Sequence, residues 1–281
     1  MALAVAGDIH ANLQAFDALL AFIAAHNARA SKRRRITRIA LLGDYTGYGG
    51  NPNEVLDRIR KLEDYGLIIG VPPAHDYFDD HAAHFRAIGG NHDAVVRSSD
   101  DGSDFSPEAL VSTIKHRGIV HPYNMAWLDD LAMYTTYSMG DEQKTFAMTH
   151  GSFEPEHANN YIDPENYGEI LSELEYMDRM NLPGRPRHVL LGHTHVAGIG
   201  IIGIDTMTFN SVALNKRAKQ AVTISPEQRF VLNPGSVGQP RDNDPRLSFA
   251  TIEDHPRNSE NLLLTLFRVP YDVRGAQEAM E

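Results

Sequence analysis

No cysteine occurs in the sequence, which excludes a disulfide framework and a thiolate metal site, so any cation must be held by Asp, Asn, Glu or His. Basic residues are also scarce: 26 Lys and Arg stand against 37 Asp and Glu, for a formal charge of -11. That sign argues against general affinity for nucleic acid or an anionic membrane and suits a carboxylate-rich cation site. No stretch reaches the run of about eighteen apolar residues that a membrane span needs, and the start Met1-Ala2-Leu3 lacks a basic leader. Neither signal peptide nor membrane span is therefore expected, and the chain is read as cytoplasmic. Repeats and low-complexity segments are missing as well.

Histidine, by contrast, is plentiful at 14 residues. The apolar run Leu3-Ala4-Val5-Ala6 reads as a buried strand, and Gly7-Asp8-Ile9-His10 follows it directly. In extended backbone Asp8 and His10 would leave the same face and could share a divalent cation. An Asp that ends a strand and caps a helix near Asn12 fits the same four residues.

Leu13, Phe16, Leu19, Leu20 and Ile23 recur at helical spacing and predict an amphipathic helix over 13–26. Ser31-Lys32-Arg33-Arg34-Arg35 is read as a solvated connector into a strand at 36–42, which closes on Gly43-Asp44-Tyr45-Thr46-Gly47-Tyr48. Asn51 and Pro52 start a helix that Gly66 ends. A third strand is expected at 67–71 and a helix at 74–86, whose His75, Asp76, Asp79, Asp80, His81 and His84 read as a polar outer face rather than an extra metal site. Another short strand leads to Gly89-Gly90-Asn91-His92-Asp93, and from there to about 143 the pattern is helical and interrupted, with Trp127 and Leu128 as core. Thr145 to Met148 is a strand ending at His150-Gly151, Asp163-Pro164-Glu165 caps a helix with Ile170, Leu171, Leu174 and Met177 inward, and Val189-Leu190-Leu191 feeds Gly192-His193-Thr194-His195. The remainder to about 269 reads as short strands, with Asn233-Pro234-Gly235-Ser236 its sharpest turn.

Five apolar runs thus end in Asp, Asn or His: Asp8 and His10, Asp44, Asn91 and His92, His150, and His193 with His195. In α/β sheets the carboxyl ends of parallel strands gather at one edge, so the five converge on one crevice. Oxygen and imidazole donors in that number suffice for two cations, with Asp44, alone at its strand end, as candidate bridge. Two such cations about 3.5 to 4 Å apart activate a water and clamp both oxygens of a displacement at phosphorus, which suits phosphoester hydrolysis.

The ordered set Gly-Asp-Xaa-His, Gly-Asp, Gly-Asn-His-Asp, His-Gly and Gly-His-Thr-His, from Gly7 to His195, resembles the signature of the calcineurin-like metallophosphoesterase superfamily. Asn233-Pro234-Gly235-Ser236-Val237-Gly238-Gln239-Pro240-Arg241 resembles the closing motif of its bacterial and archaeal phosphodiesterase-like branch. The resemblance implies one metal on Asp8, His10, Asp44 and His195, a second on Asp44, Asn91, His150 and His193, a metal-bridging hydroxide as nucleophile, and His92 as general acid oriented by Asp93. The metals could be Mn, Fe, Zn, Ni or Co, and the substrate a phosphomonoester or phosphodiester, either a small molecule or a nucleotide. Stable nucleic-acid partners are not expected, and nothing in the sequence addresses oligomeric state. Tyr45-Thr46-Gly47 and Asp93 depart from the protein Ser/Thr phosphatases, which carry an Arg after the second Gly-Asp and a Glu ending the third motif. Ala11 stands where Gly is often found, leaving Asn12 to cap the helix. A dinucleoside polyphosphate hydrolase would differ only in substrate; a non-catalytic scaffold on the same fold would tend to lose ligands, and this chain keeps all of them.

The expected architecture is a four-layer αββα sandwich of two mixed sheets flanked by helices. It is read as a single domain over 1–281, with a helical insertion at about 94–143 and a hairpin insertion at about 204–228 carrying Lys216, Arg217 and Lys219. Those two stretches are the candidates for substrate choice. Arg241 and Tyr48 sit beside motifs and could touch substrate.

Overall fold

Strand β1 (Ala2–Ala6) is apolar and buried at every position, as a strand covered on both faces must be. Ala2, Ala4 and Ala6 share a core with Phe16, Leu19 and Ile23 of helix α1 (Leu13–Arg29). Leu3 and Val5, pointing the other way, share a second core with Phe146, Met148, Leu190 and Phe230 of a second sheet. Beyond that sheet a third core joins Ala147, Val189 and Val231 to Ile170, Leu174 and Met177 of a further helix. Alternation along single strands thus separates helix, sheet, sheet and helix into the expected four-layer sandwich. The computed structural model describes residues 2–65, 84–154, 159–206 and 208–281.

Among the described residues there are seven α-helices and two mixed sheets of six strands. In the first sheet β1 pairs in parallel with β2 (Ile36–Leu41), and β2 in parallel with β3 (Phe85–Ala87). In the second, β5 (Thr145–Thr149) runs parallel to β6 (His188–Leu190), with β4 (Tyr134–Ser138) antiparallel at its edge. These parallel strands deliver all five polar clusters to one rim. The α-helices described between β2 and β5 are α2 (Pro52–Tyr65), α3 (Asn91–Val96), α4 (Pro107–Ile119) and α5 (Pro122–Asp129). Downstream come α6 (Tyr167–Arg179), β7 (Ala197–Gly203), β8 (Phe209–Ala213), β9 (Lys219–Ile224), β10 (Gln228–Pro234), β11 (Leu247–His255), β12 (Asn258–Val269) and α7 (Val273–Glu278).

The strand expected at 67–71 and most of the helix expected at 74–86 lie outside the described residues, with His75, Asp76, Asp79, Asp80 and His81. Phe85 and Arg86, at the end of that span, form strand β3 instead, through parallel pairing with Ile39 and Ala40. The helical pattern expected to 143 ends at Asp129, because Tyr134-Thr135-Thr136-Tyr137, aromatic and β-branched, finds an open sheet edge on β5. In 204–228, read as a hairpin, β8 pairs with β7 and β9 with β12. The two are edge strands of opposite sheets.

His188 in β6 is buried and stacks on Phe230 at 4.1 Å. Its Nε2–H donates to the Gln143 carbonyl at 3.2 Å and its Nδ1 accepts the Phe230 N–H at 3.3 Å, so the neutral ring is satisfied. Burial, with the nearby Arg187 charge, holds His188 down at about 3. Below the ordinary imidazole value of about 6.5 the unfolded chain takes up a proton that the folded chain refuses, so stability falls between about pH 6.5 and 3 by up to about 1.4 kcal/mol per pH unit. His188→Phe, which keeps the ring stack, should lose less stability than wild type between pH 7 and 4.5, read from urea midpoints. Equal losses would refute this account.

Candidate metal centre

Three of the five clusters sit on strained backbone rather than extended strand. Asp8, His10, Asp44, His193 and His195 have φ of +52°, +48°, +54°, +69° and +60°, a left-handed region that costs a non-glycine residue about 1–2 kcal/mol each. The same-face display of Asp8 and His10 expected from extended backbone therefore gives way to successive tight turns. Adjacent turns clasp each other: Asp8 N–H donates to Gly43 O at 3.0 Å, His10 N–H to Asp44 O at 2.9 Å and Ala11 N–H to Tyr45 O at 2.8 Å. Ala11 also has φ +51°, the conformation for which glycine is the easier residue. Gly90 is required for another reason, since a Cβ there would stand 2.2 Å from Asp44 Oδ1.

Each histidine of the cluster spends one ring nitrogen on a main-chain carbonyl. His10 Nδ1–H donates to Thr46 O at 2.9 Å, His195 Nδ1–H to Gln239 O at 2.6 Å, His150 Nδ1–H to Leu42 O at 2.7 Å and His193 Nε2–H to Asn159 O at 2.9 Å. These partners assign the tautomers and aim the remaining lone pairs inward. His10 Nε2 and His195 Nε2 then face each other at 3.1 Å, and His150 Nε2 and His193 Nδ1 at 3.2 Å. Two ring nitrogens so close repel unless a proton or a cation lies between them.

The carboxylates complete the arrangement. Asp8 Oδ1 lies 3.3 Å from His195 Nε2, while Asp44 Oδ2 lies 3.2 Å from His150 Nε2 and 3.6 Å from His10 Nε2. Ligand atoms of Asp8, His10, Asp44 and His195 all fall within 4.8 Å of one another, and so do those of Asp44, His150 and His193. Asn91 Oδ1 stands 3.0 Å from His150 Nε2. Asp8 and Asp44 are at most 1% exposed, and their ion-pair partners among the described residues are histidines alone. Buried charge with no Lys or Arg beside it is costly, and a bound cation would neutralise it. The titration directions carry the same tension. Burial drives His10 well below the ordinary imidazole value despite Asp44, and burial with the neighbouring His150 holds His193 down at about 4. At His150 burial is outweighed by the carboxylates of Asp44 and Asp8, which push it up to about 10, so that without a cation a proton on its Nε2 meets the His193 lone pair.

His92 lies beside this cluster, its ring 4.8 Å from that of His10. The structure gives its orientation to a residue that the sequence did not single out. His92 Nδ1 is 2.9 Å from Thr113 Oγ1 on α4, and Thr113 spends its own proton on Ala109 O at 2.7 Å. Thr113 therefore accepts from His92 Nδ1–H, which makes Nε2 the ring nitrogen available for chemistry. Asp93, expected to orient His92, instead accepts the N–H groups of Tyr45, Thr46 and Gly90 and the Thr46 hydroxyl at 2.9–3.1 Å. It ties the second cluster to the third, because it enters α3 as its third residue and reaches back to the start of the helix. Burial and the Asp44 charge raise it to about 6 against those four bonds.

His116, a turn further along α4, accepts the Gly47 N–H and donates to Gly49 O, both at 2.9 Å. Thr113 and His116 lie three residues apart on one helix face, a spacing visible in the sequence, but nothing local says which loop that face meets. The Asn233–Gln239 turn binds two clusters at once. Asn233 Nδ2–H donates to Gly192 O at 2.7 Å, and the Ser236 hydroxyl to Asp8 O at 2.8 Å. Asn12 caps α1 as expected, accepting the Ala15 N–H at 3.0 Å.

The sequence model of the calcineurin-like phosphoesterases matches residues 1–197. The chain belongs to the calcineurin-like phosphoesterase family. Family membership brings metal dependence with it, and the donor set above fits that requirement. This calcineurin-like phosphoesterase is 24% identical over 285 residues to an uncharacterized protein of Methanocaldococcus jannaschii, covering 98% of this chain and 90% of that one. Its fold is shared with a metallophosphoesterase from Sphaerobacter thermophilus, at 23% identity and a TM-score of 0.63, covering 100% of this chain and 93% of that one. A hypothetical protein from Pyrococcus horikoshii superposes with a TM-score of 0.68 at 16% identity, covering 99% and 91%. No helix among the described residues is long and apolar enough to cross a membrane.

Proposed function

We propose that this calcineurin-like phosphoesterase is a phosphoester hydrolase working with two divalent or transition metal ions on small phosphoester or nucleotide substrates. One ion is assigned to Asp8, His10, Asp44 and His195, the other to Asp44, Asn91, His150 and His193. The observation that carries the reading is the convergence of two pairs of imidazole nitrogens, at 3.1 and 3.2 Å, on two buried carboxylates, with each ring fixed by a carbonyl behind it. When bound, such ions supply Lewis acidity at the attacking and leaving oxygens of a displacement at phosphorus. The chain's own residues do the rest. His92, held by Thr113, presents Nε2 where a leaving oxygen would need a proton. Burial lowers the His92 pKa, so its acid form depends on the negative charge that the substrate brings. Asp93 keeps the loops of the second and third clusters together. The catalytic domain is taken to span 1–281, with the stretch at about 94–143, which holds α4 and α5, as an insertion that supplies Thr113.

The test is elemental analysis of the purified protein, joined to assays of a chromogenic monoester and diester with Mn, Fe, Zn, Ni and Co. About two metal ions per chain and turnover of at least one ester are expected. Less than one equivalent, with no turnover after manganese is added, would reject the reading in favour of a non-catalytic scaffold.

A further inference from the structure

Two tyrosines stand on opposite sides of the metal-binding cluster. The Tyr48 ring lies 4.9 Å from those of His10 and His92, and the Tyr161 ring is stacked on His193 at 4.6 Å with planes 12° apart. Arg241 links them. Its Nη1–H donates to Tyr161 Oη at 3.0 Å, and its Nη2 to Tyr48 Oη at 3.3 Å and Gln239 Oε1 at 3.2 Å. All three acceptors are neutral, and Arg241 forms no ion pair among the described residues. In a chain with eleven more acidic than basic residues, a guanidinium without a carboxylate is placed for an anion from outside.

The backbone beneath it is fixed. Arg241 N–H donates to His195 O at 3.3 Å, the adjacent Asp242 pairs with Arg268, and Asp244 is held by Arg246 at 2.6 Å and Arg268 at 3.5 Å. Arg268 is only 4% exposed, so this ion-pair network is part of the frame. The exposed side chain thus rises from a base anchored to His195.

We propose that Arg241 binds the non-bridging oxygens of the substrate phosphoryl group and thereby favours a dianionic monoester over a monoanionic diester. The assignment rests on the hydrolase reading above. A planar guanidinium presents paired N–H groups that match two phosphoryl oxygens, and exchanging neutral phenol oxygens for charged ones strengthens each bond. The attraction scales with ligand charge, so the monoester gains more. Tyr48 and Tyr161 hold the guanidinium at the mouth until substrate arrives.

The probe is inorganic phosphate, titrated by calorimetry into the metal-loaded protein, followed by rates on a nitrophenyl monoester and a nitrophenyl diester. For Arg241→Ala, with metal content unchanged, phosphate affinity should fall at least about tenfold and kcat/KM should fall further on the monoester than on the diester. Arg241→Lys, a point charge without the fork, should recover part of both. Unchanged phosphate affinity in Arg241→Ala, or equal losses on the two esters, would overturn the assignment. Wild type that binds phosphate yet turns over neither ester would overturn the hydrolase reading, and the Arg241→Ala titration would still decide whether Arg241 binds phosphate.

Discussion

Asp44→Asn should abolish the catalytic site while leaving the fold in place. Asp44 Oδ1 accepts the His92 N–H at 2.9 Å, and Oδ2 faces both His150 and His10. An Asn amide oxygen can keep the first bond but not the ion pair that raises His150, so the metal-free variant should still fold cooperatively, with a Tm somewhat below that of the metal-free wild type. What it cannot do is offer a charged oxygen to both groups of ligands. Metal content should drop by at least one ion per chain, and the rise in Tm that metal gives wild type should shrink accordingly. Activity should fall by at least about a thousandfold, corresponding to the several kcal/mol that a cation contributes to charge stabilisation at phosphorus. A variant with wild-type metal content and rate would remove Asp44 as the bridge.

His92→Asn should reveal its effect only when the leaving group needs a proton. On an alkyl phosphoester the expected loss is about 10²- to 10⁴-fold, the range for a positioned general acid, and on a nitrophenyl ester it should be small. A uniform loss across leaving groups would end the acid assignment. Thr113→Val tests the orientation separately, because it leaves His92 Nδ1–H without its acceptor. It should give a loss on the order of tenfold that follows the same leaving-group trend, Thr113→Ser should restore the rate, and in the His92→Asn background Thr113→Val should cost nothing more. If Asp93 rather than Thr113 oriented the ring, Thr113→Val would be silent in all three comparisons.

Much of the candidate site was legible because it is assembled from short local motifs. A strand that ends in Gly-Asp or Gly-His announces both its end and its donor, and parallel strands bring such ends to one rim whatever lies between them. The layers could be expected for a similar reason, since runs such as Leu3-Ala4-Val5-Ala6 have to be covered on both faces. Where the reading departed from the structure, the deciding partner was remote in sequence. Asp93 looks like the partner of His92 because it is adjacent, yet its carboxylate turns back to Tyr45 and Thr46, and the partner of His92 comes from α4. Likewise β8 and β9 look like a hairpin until the open edges of two different sheets claim them.

The sequence by itself determined which donors this protein has, the absence of thiolates, the order of the strand-end clusters and hence the family. These are properties of residue type and local spacing. Only the tertiary structure decided the left-handed turns at Asp8, His10, Asp44, His193 and His195, the carbonyls that fix each imidazole, Thr113 behind His92, and Arg241 between Tyr48 and Tyr161. Such features depend on which main-chain and side-chain atoms packing brings within about 3 Å of each other, and spacing along the chain does not carry that information.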